Sequence, residues 1–267
     1  RLTIETPKTV VNLQLEDNLW RVMEIGNYYA GYRQINNLFN DFADARIYRR
    51  QGPATDADEK KFGLDDNAFR VITRDAGGRI LNTVLIGKAA ADNLYHFARI
   101  EGEKDVFLIT GNFSFPETAV SWLQQPLLSL SPTDIRSLKI GHETAVRPDI
   151  IVPFRIKGKQ AVPDISRYLN ALGFVAAYDV RRGADFDRLQ FSAPKSLTVT
   201  TFDGLVVTIE VYGRTGEEYW ASLKFSTTTL PTTAVNDYIK SSAFLYEGWY
   251  FRLAPDVGRI LFNAFIQ

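Results

Sequence analysis

Phe69-Arg70-Val71-Ile72-Thr73-Arg74-Asp75-Ala76-Gly77-Gly78-Arg79-Ile80-Leu81-Asn82-Thr83-Val84-Leu85-Ile86-Gly87-Lys88 decides how this chain folds. Two β-rich runs flank Asp75-Ala76-Gly77-Gly78. Glycine supplies the positive φ that a tight turn between antiparallel strands needs, so the stretch reads as a hairpin. Gly87-Lys88 closes it. The same plan returns in the second half. There Leu197–Phe202 and Leu205–Tyr212 flank Asp203-Gly204, and Gly213-Arg214 closes the hairpin.

Each hairpin is followed by further strands. In the first half these are Leu94–Ile100 and Asp105–Ile109, joined by Glu101-Gly102-Glu103-Lys104. In the second they are Tyr219–Phe225 and Trp249–Leu253, with Thr227–Thr233 as an extended polar loop between them. Each hairpin is also preceded by an amphipathic helix. Tyr32, Ile35, Leu38, Phe39, Phe42 and Ala45 form one apolar stripe over residues 29–45. Ile165, Tyr168, Leu169, Leu172 and Val175 form another, in a helix that starts at Pro163-Asp164 with Asp164 as N-cap. Residues 9–25 read as two strands about the turn Glu16-Asp17-Asn18. Residues 51–61 read as a loop running into solvated charge. Short helices are expected after Phe115-Pro116-Glu117, burying Ala119, Val120, Trp122 and Leu123, and at the C-terminus through Val257, Ile260, Leu261 and Phe265.

The halves match in order as well as in type. Phe42…Arg49-Arg50 is answered by Phe174…Arg181-Arg182, Asp75 by Asp203, and Gly87-Lys88 by Gly213-Arg214. A drifting period near half the chain implies duplication of one unit rather than a solenoid. The expected fold is therefore α+β: two tandem similar units, each an antiparallel β-sheet with helices packed on one face. The first unit is placed at residues 1–125 and the second at 161–267. The proline-punctuated segment 126–160, with a strand at Ile135–Ile140, is expected to connect them.

Composition narrows the chemistry. The 267 residues carry 31 Lys+Arg against 31 Asp+Glu, which argues against a generally basic nucleic-acid binder. Cysteine is absent, so disulfides, thiol nucleophiles and thiolate metal sites are excluded. Histidine is confined to His96 on a strand and His142 in a loop, with no spaced partner for a metal or a triad. Gly87-Lys88 is followed by Ala89, and Asn82 stands where a phosphate loop needs glycine. Asp65-Asp66, Glu101/Glu103 and Glu217-Glu218 are acid pairs, but neighbours on a strand point to opposite faces. No catalytic, cofactor-binding or metal-ligating residue is assigned, and the chain is expected not to be an enzyme.

What remains are basic clusters and aromatics. Arg46, Arg49 and Arg50 surround Tyr48, and Arg181-Arg182 repeats the pair. With Trp249 these form the candidate interaction surface, suited to an anionic or acidic partner. Phe107, Phe113, Phe115 and Trp122, and then Phe244, Tyr246, Trp249, Tyr250 and Phe251, are expected to be mostly core. An exposed subset would give the alternative reading, a lipid- or glycan-binding module with an aromatic-lined groove.

Several stretches together resemble a known family. They are Leu19-Trp20-Arg21-Val22, Ile35–Phe42, Phe62-Gly63-Leu64, Leu85-Ile86-Gly87-Lys88, Tyr95–Arg99, Val106–Ile109 and Leu127–Ile135. The chain is similar to the uncharacterised bacterial "domain of unknown function 4340" family over about residues 9–140, and more loosely beyond. That resemblance implies an accessory protein whose body is periplasmic or extracytoplasmic and whose N-terminal segment anchors it in the inner membrane. It also implies protein partners, membrane components of an ABC-type transport system; from composition and motifs, no nucleic acid and no cofactor are expected. A small-molecule ligand is not expected. A chain that starts at Arg1 fits an excised soluble portion.

Overall fold

The computed structural model describes residues 1–90, 93–156, 165–191, 193–214 and 216–263, with the backbone alone at Arg214. Two compact units emerge, Arg1–Gln124 and Gln125–Gln267. Pro163, Asp164 and Phe265, expected in two of the helices, lie outside the described residues.

The first unit opens with β1 (Leu2–Glu5), β2 (Val10–Glu16), β3 (Leu19–Val22) and the short β4 (Tyr28–Tyr29). Helix α1 (Tyr32–Asp44) leads to β5 (Ile47–Pro53) and helix α2 (Asp56–Phe62). A four-strand meander follows: β6 (Phe69–Arg74), β7 (Ile80–Ala89), β8 (Tyr95–Ile100) and β9 (Asp105–Thr110). The sheet order is β4-β3-β2-β1-β6-β7-β8-β9-β5, antiparallel throughout.

The second unit opens with β10 (Ile135–Ile140), β11 (Glu143–Val146) and β12 (Arg155–Ile156). Then come α3 (Ser166–Leu172), β13 (Ala177–Arg182), α4 (Gly183–Asp187), β14 (Lys195–Thr201), β15 (Leu205–Arg214) and β16 (Glu218–Thr227). Helix α5 (Thr233–Ser242), β17 (Trp249–Leu253) and α6 (Pro255–Phe262) complete it. Its order is β12-β11-β10-β14-β15-β16-β17-β13.

The two orders are the same permutation. In each, the opening strands lie beyond the meander, and the strand after the first helix crosses over to pair with the last meander strand. Among the described residues, β4 is the one strand without a counterpart. Identical non-sequential topology is stronger support for duplication than matched motifs, because a chance sequence of elements has many other ways to join a sheet. The α+β class and the paired units are thus as expected. Residues 126–160 are corrected: they supply β10, β11 and β12, the counterparts of β1 to β3. Their prolines fall in the loops, where no ladder hydrogen bond is lost.

The core of each unit lies under its longer helices. In the first, Ile35 and Leu38 of α1 are buried, and the buried Leu2, Leu13 and Val71 lie on one sheet face by strand alternation. Tyr32 and Phe39, assigned to the same stripe, remain exposed at 75% and 44%. In the second, Tyr168 and Leu172 of α3 and Leu261 of α6 are buried, as are Leu197, Val199, Ile209 and Leu223 of the sheet. The expectation of helices on one face is corrected: the small helices α2 and α4 pack on the opposite sheet face, α2 over a second cluster of Leu64, Ala68, Leu85 and Val106. Phe62 stacks on Phe97 at 4.2 Å, and Phe186 stacks on Tyr250 at 3.9 Å.

Three local expectations are revised. The helix after Pro116 is only a 3-10 turn, Ala119–Trp122, although Trp122 and Leu123 are buried as expected. The solvated stretch 56–61 forms α2, which Thr55 and Asp58 start with a reciprocal capping box. The threonine-rich loop ends in α5, capped by the Thr232 hydroxyl, which accepts from the Val235 N–H.

Candidate functional site

β5 and β13 are topological equivalents, each at the end of its sheet. Each pairs on one side with the last strand of its meander. An end strand leaves one row of backbone donors and acceptors without a ladder partner, which is a template for another chain. β5 is exposed along nearly its whole length, with Ile47, Tyr48, Arg49 and Arg50 all open to solvent. On β13, Tyr178, Arg181 and Arg182 are exposed.

The arginines are held in different ways. Arg46 Nη1 donates to the carbonyls of Ala43 and Ala45 at 2.8 Å each, so it caps the C-terminal end of α1. Arg50 pairs with Asp105, its Nε donating to Oδ2 at 2.8 Å. Arg181 Nη2 donates to Asp179 Oδ2 at 2.9 Å. The Arg182 guanidinium lies 4.1 Å over the Trp249 ring. Tyr48 stacks on Tyr95 at 4.2 Å, which fixes its ring on the surface.

The Arg-Arg pairs are not equivalent positions. Each strand has a bulge after its first pair, between Ile47 and Arg49 and between Ala177 and Asp179. Measured from that bulge, Arg49-Arg50 align with Asp179-Val180, and Arg181-Arg182 fall two residues later. Both edges are therefore basic without one doublet having been copied. Trp249 is corrected outright. It is buried, and its ring supports Arg182 instead of facing a partner. Tyr178 was not singled out from the sequence. It sits at the bulge between Ala177 and Asp179, so simple alternation, which would set it with the buried Val180, carries no signal for its exposure.

The remaining candidates have structural roles. His96 Nδ1 donates to the Gly87 carbonyl at 3.3 Å, and its ring meets Phe113 edge-on. His142 is exposed in the turn between β10 and β11. Asp65 accepts from the Asn67 backbone and side chain, and these bonds hold its carboxyl below the usual range. Glu217 pairs with Arg259 at 2.9 Å, while Glu218 accepts from Trp220 Nε1 at 2.9 Å, so that acid pair points apart. Lys88 Nζ reaches the Lys60 carbonyl at the end of α2. Among the described residues, no three His, Cys, Asp or Glu gather as a metal site, and no helix is long and apolar enough to cross a membrane.

The aromatic expectation holds for most of the set. Phe113, Phe115, Trp122, Tyr246, Trp249 and Phe251 are buried, whereas Phe244 is exposed. Phe244 borders a cleft of about 580 Å³ in the second unit, between β16 and the segment that precedes β17. On its floor Ser222 Oγ donates to Glu210 Oε2 at 3.2 Å, and Lys224 Nζ lies 3.7 Å from the same oxygen.

Tyr212, on the same sheet face, has its hydroxyl pKa pushed up to about 12 by burial, and then by Tyr250 and Glu210. An unfolded tyrosine ionises near about 10. The folded value is raised, so the contribution to stability is complete below pH ~10 and is lost as pH climbs toward about 12. Alkaline unfolding of wild type and Tyr212→Phe should therefore diverge in that window, with the wild type losing more stability. Superimposable curves would refute this reading.

A family model described as "Domain of unknown function (DUF4340)" matches residues 20–161. No curated protein and no solved structure matches the chain.

Proposed function

The chain belongs to the family of the domain of unknown function DUF4340, and from that premise we propose that it works by protein–protein contact and not by catalysis. In this reading it is the extracytoplasmic part of a membrane-anchored accessory protein that assembles with an ABC-type transport system. The observation that carries it is the pair of equivalent edge strands, each with an exposed tyrosine and exposed arginines. Edge strands are usually blunted by charge to prevent pairing. Here each edge also carries a large aromatic, the residue type that supplies contact area at low entropic cost. Arginine beside it favours an acidic partner through bidentate hydrogen bonds.

The test is reconstitution. The intact protein should co-purify in mild detergent with the permease and ATP-binding subunits of its transport system. Arg49→Glu/Arg50→Glu or Arg181→Glu/Arg182→Glu should reduce recovery by about tenfold, because reversed charge meets like charge across the contact. Failure to recover any complex with the unaltered protein would overturn the proposal.

A further inference from the structure

The two sheets differ on the face that carries the small helices. In the first unit α2 covers a closed apolar cluster of Leu64, Ala68, Leu85 and Val106, with Phe62 and Phe97 packed against it. On the equivalent face of the second sheet, α4 brings Phe186 onto Tyr250 at 3.9 Å, Tyr212 at 4.9 Å and Trp220 at 5.8 Å. Beyond that aromatic group the face turns polar. Glu210 and Ser222 are cross-strand partners, and Lys224 shares their face by alternation along β16.

The ladder beneath is continuous. β17 runs beside β16, with Trp220 against Arg252 and Ala221 against Phe251. The cleft of about 580 Å³ is therefore a depression over the sheet face and not a gap between strands. Phe244 and Glu247 also line it, and both come from the connection of residues 228–248 between β16 and β17. The first unit has only Glu101-Gly102-Glu103-Lys104 at that place. The volume lies inside the range of about 300–1,000 Å³ that ligand clefts occupy.

We propose that this cleft binds a neutral saccharide. The expectation of no small-molecule ligand is set aside on the strength of its lining. Glu210 Oε2 accepts from Ser222 Oγ at 3.2 Å and faces Lys224 Nζ at 3.7 Å. Among the described residues none donates to Oε1, which leaves it to accept charge-assisted bonds from sugar hydroxyls. The Ser222 and Tyr250 hydroxyls donate or accept, and Lys224 donates. Phe244, exposed at the rim, presents an aromatic surface to the C–H face of a sugar ring. Phe186 and Tyr212 hold the Tyr250 ring in place before a ligand arrives, which lowers the ordering cost of binding. Other ligand classes fit less well. An apolar molecule would strip water from Glu210 and Lys224 and return no hydrogen bond. A polyanion would meet two lining carboxylates, Glu210 and Glu247, against the ammonium of Lys224. The inference is independent of the edge-strand reading: loss of transporter binding leaves it intact, and its own failure leaves that reading intact.

The test titrates the full chain calorimetrically with maltohexaose, cellohexaose and chitohexaose, and with hexagalacturonate as the anionic comparison. At least one neutral sugar should bind with a Kd of about 1 mM or tighter, and hexagalacturonate more weakly than that sugar. Glu210→Gln keeps the shape of the side chain but removes its charge, and should weaken binding about tenfold. Phe244→Ala, on the exposed connection, should weaken it by a similar factor without disturbing the fold. Tyr48→Ala, on the first unit, should leave it unchanged. The inference is overturned if none of the three neutral sugars binds, if hexagalacturonate binds the most tightly, if Glu210→Gln and Phe244→Ala both bind as the wild type does, or if Tyr48→Ala loses binding as they do.

Discussion

Replacing Arg147 with methionine is expected to cost the second unit about 3 kcal/mol of stability, because its guanidinium is held by backbone carbonyls. The residue follows β11 and is only 8% exposed. Its Nε donates to the Ile135 carbonyl at 2.9 Å and its Nη1 to Ile150 at 3.0 Å. Its Nη2 serves both Pro132, at 2.5 Å, and Thr133, at 3.1 Å. Phe154 and Phe202 lie against the guanidinium, at 4.6 and 5.6 Å from ring centroid to Cζ. One planar fork thus ties the loop before β10 to the loop after β11. Methionine fills a similar volume but leaves four carbonyls without their donor. Arg147→Lys should recover part of the loss, because an ammonium has three donors but no fork. Urea unfolding that separates wild type from Arg147→Met by less than about 1 kcal/mol would contradict this account.

Gly258→Ala should be comparably damaging, at about 3 kcal/mol, for the opposite reason. Gly258 lies in α6 where the helix meets β16. An added Cβ would stand 2.3 Å from Tyr219 Cβ and 2.5 Å from its Cγ. Those atoms sit next to the strand backbone, so they cannot swing aside as a flexible side-chain end could. The helix must lift, which loosens the packing of the buried Leu261. The thermal midpoint should fall by roughly 10 °C. Gly183→Ala is the control. It begins α4, and the nearest atom to an added Cβ is a Tyr250 ring carbon at 3.9 Å. That variant should be neutral or slightly stabilised, because alanine restricts the unfolded chain. Equal midpoints for Gly258→Ala and wild type would show that α6 does not seat there.

How far the sequence speaks can be argued residue by residue. Asp75-Ala76-Gly77-Gly78 and Asp203-Gly204 were sufficient for the hairpins, because turn geometry depends on local φ preferences. Gly78 and Gly204 do adopt φ of 86° and 97°. The capping pair Thr55 and Asp58 also carried a local signal for α2, but the four consecutive charges Asp58-Glu59-Lys60-Lys61 concealed Phe62, the residue that anchors it. β10 was legible as the strand Ile135–Ile140, but β11, β12 and their place in the second sheet were hidden by prolines that mark loops within a sheet as readily as boundaries between domains. Arg147 offered no signal at all. A lone arginine at the end of a strand reads as surface charge until the loops flanking the β10–β11 hairpin supply its carbonyls. Trp249 shows the converse: its residue type suggested an interface anchor, but strand alternation in β17 turns it inward beside Phe251 and Leu253. The candidate surface was thus legible as composition, arginine beside tyrosine, and its placement on equivalent edges came only from topology.

The central claim is that equivalent edge strands of a duplicated unit hold the partner. Backbone amide exchange, compared for the intact protein alone and in complex with its transporter subunits, tests it most directly. The account predicts slowed exchange confined to residues 47–53 and 177–182, the extent of β5 and β13. Unchanged exchange in both strands, with protection elsewhere on either unit, would contradict it.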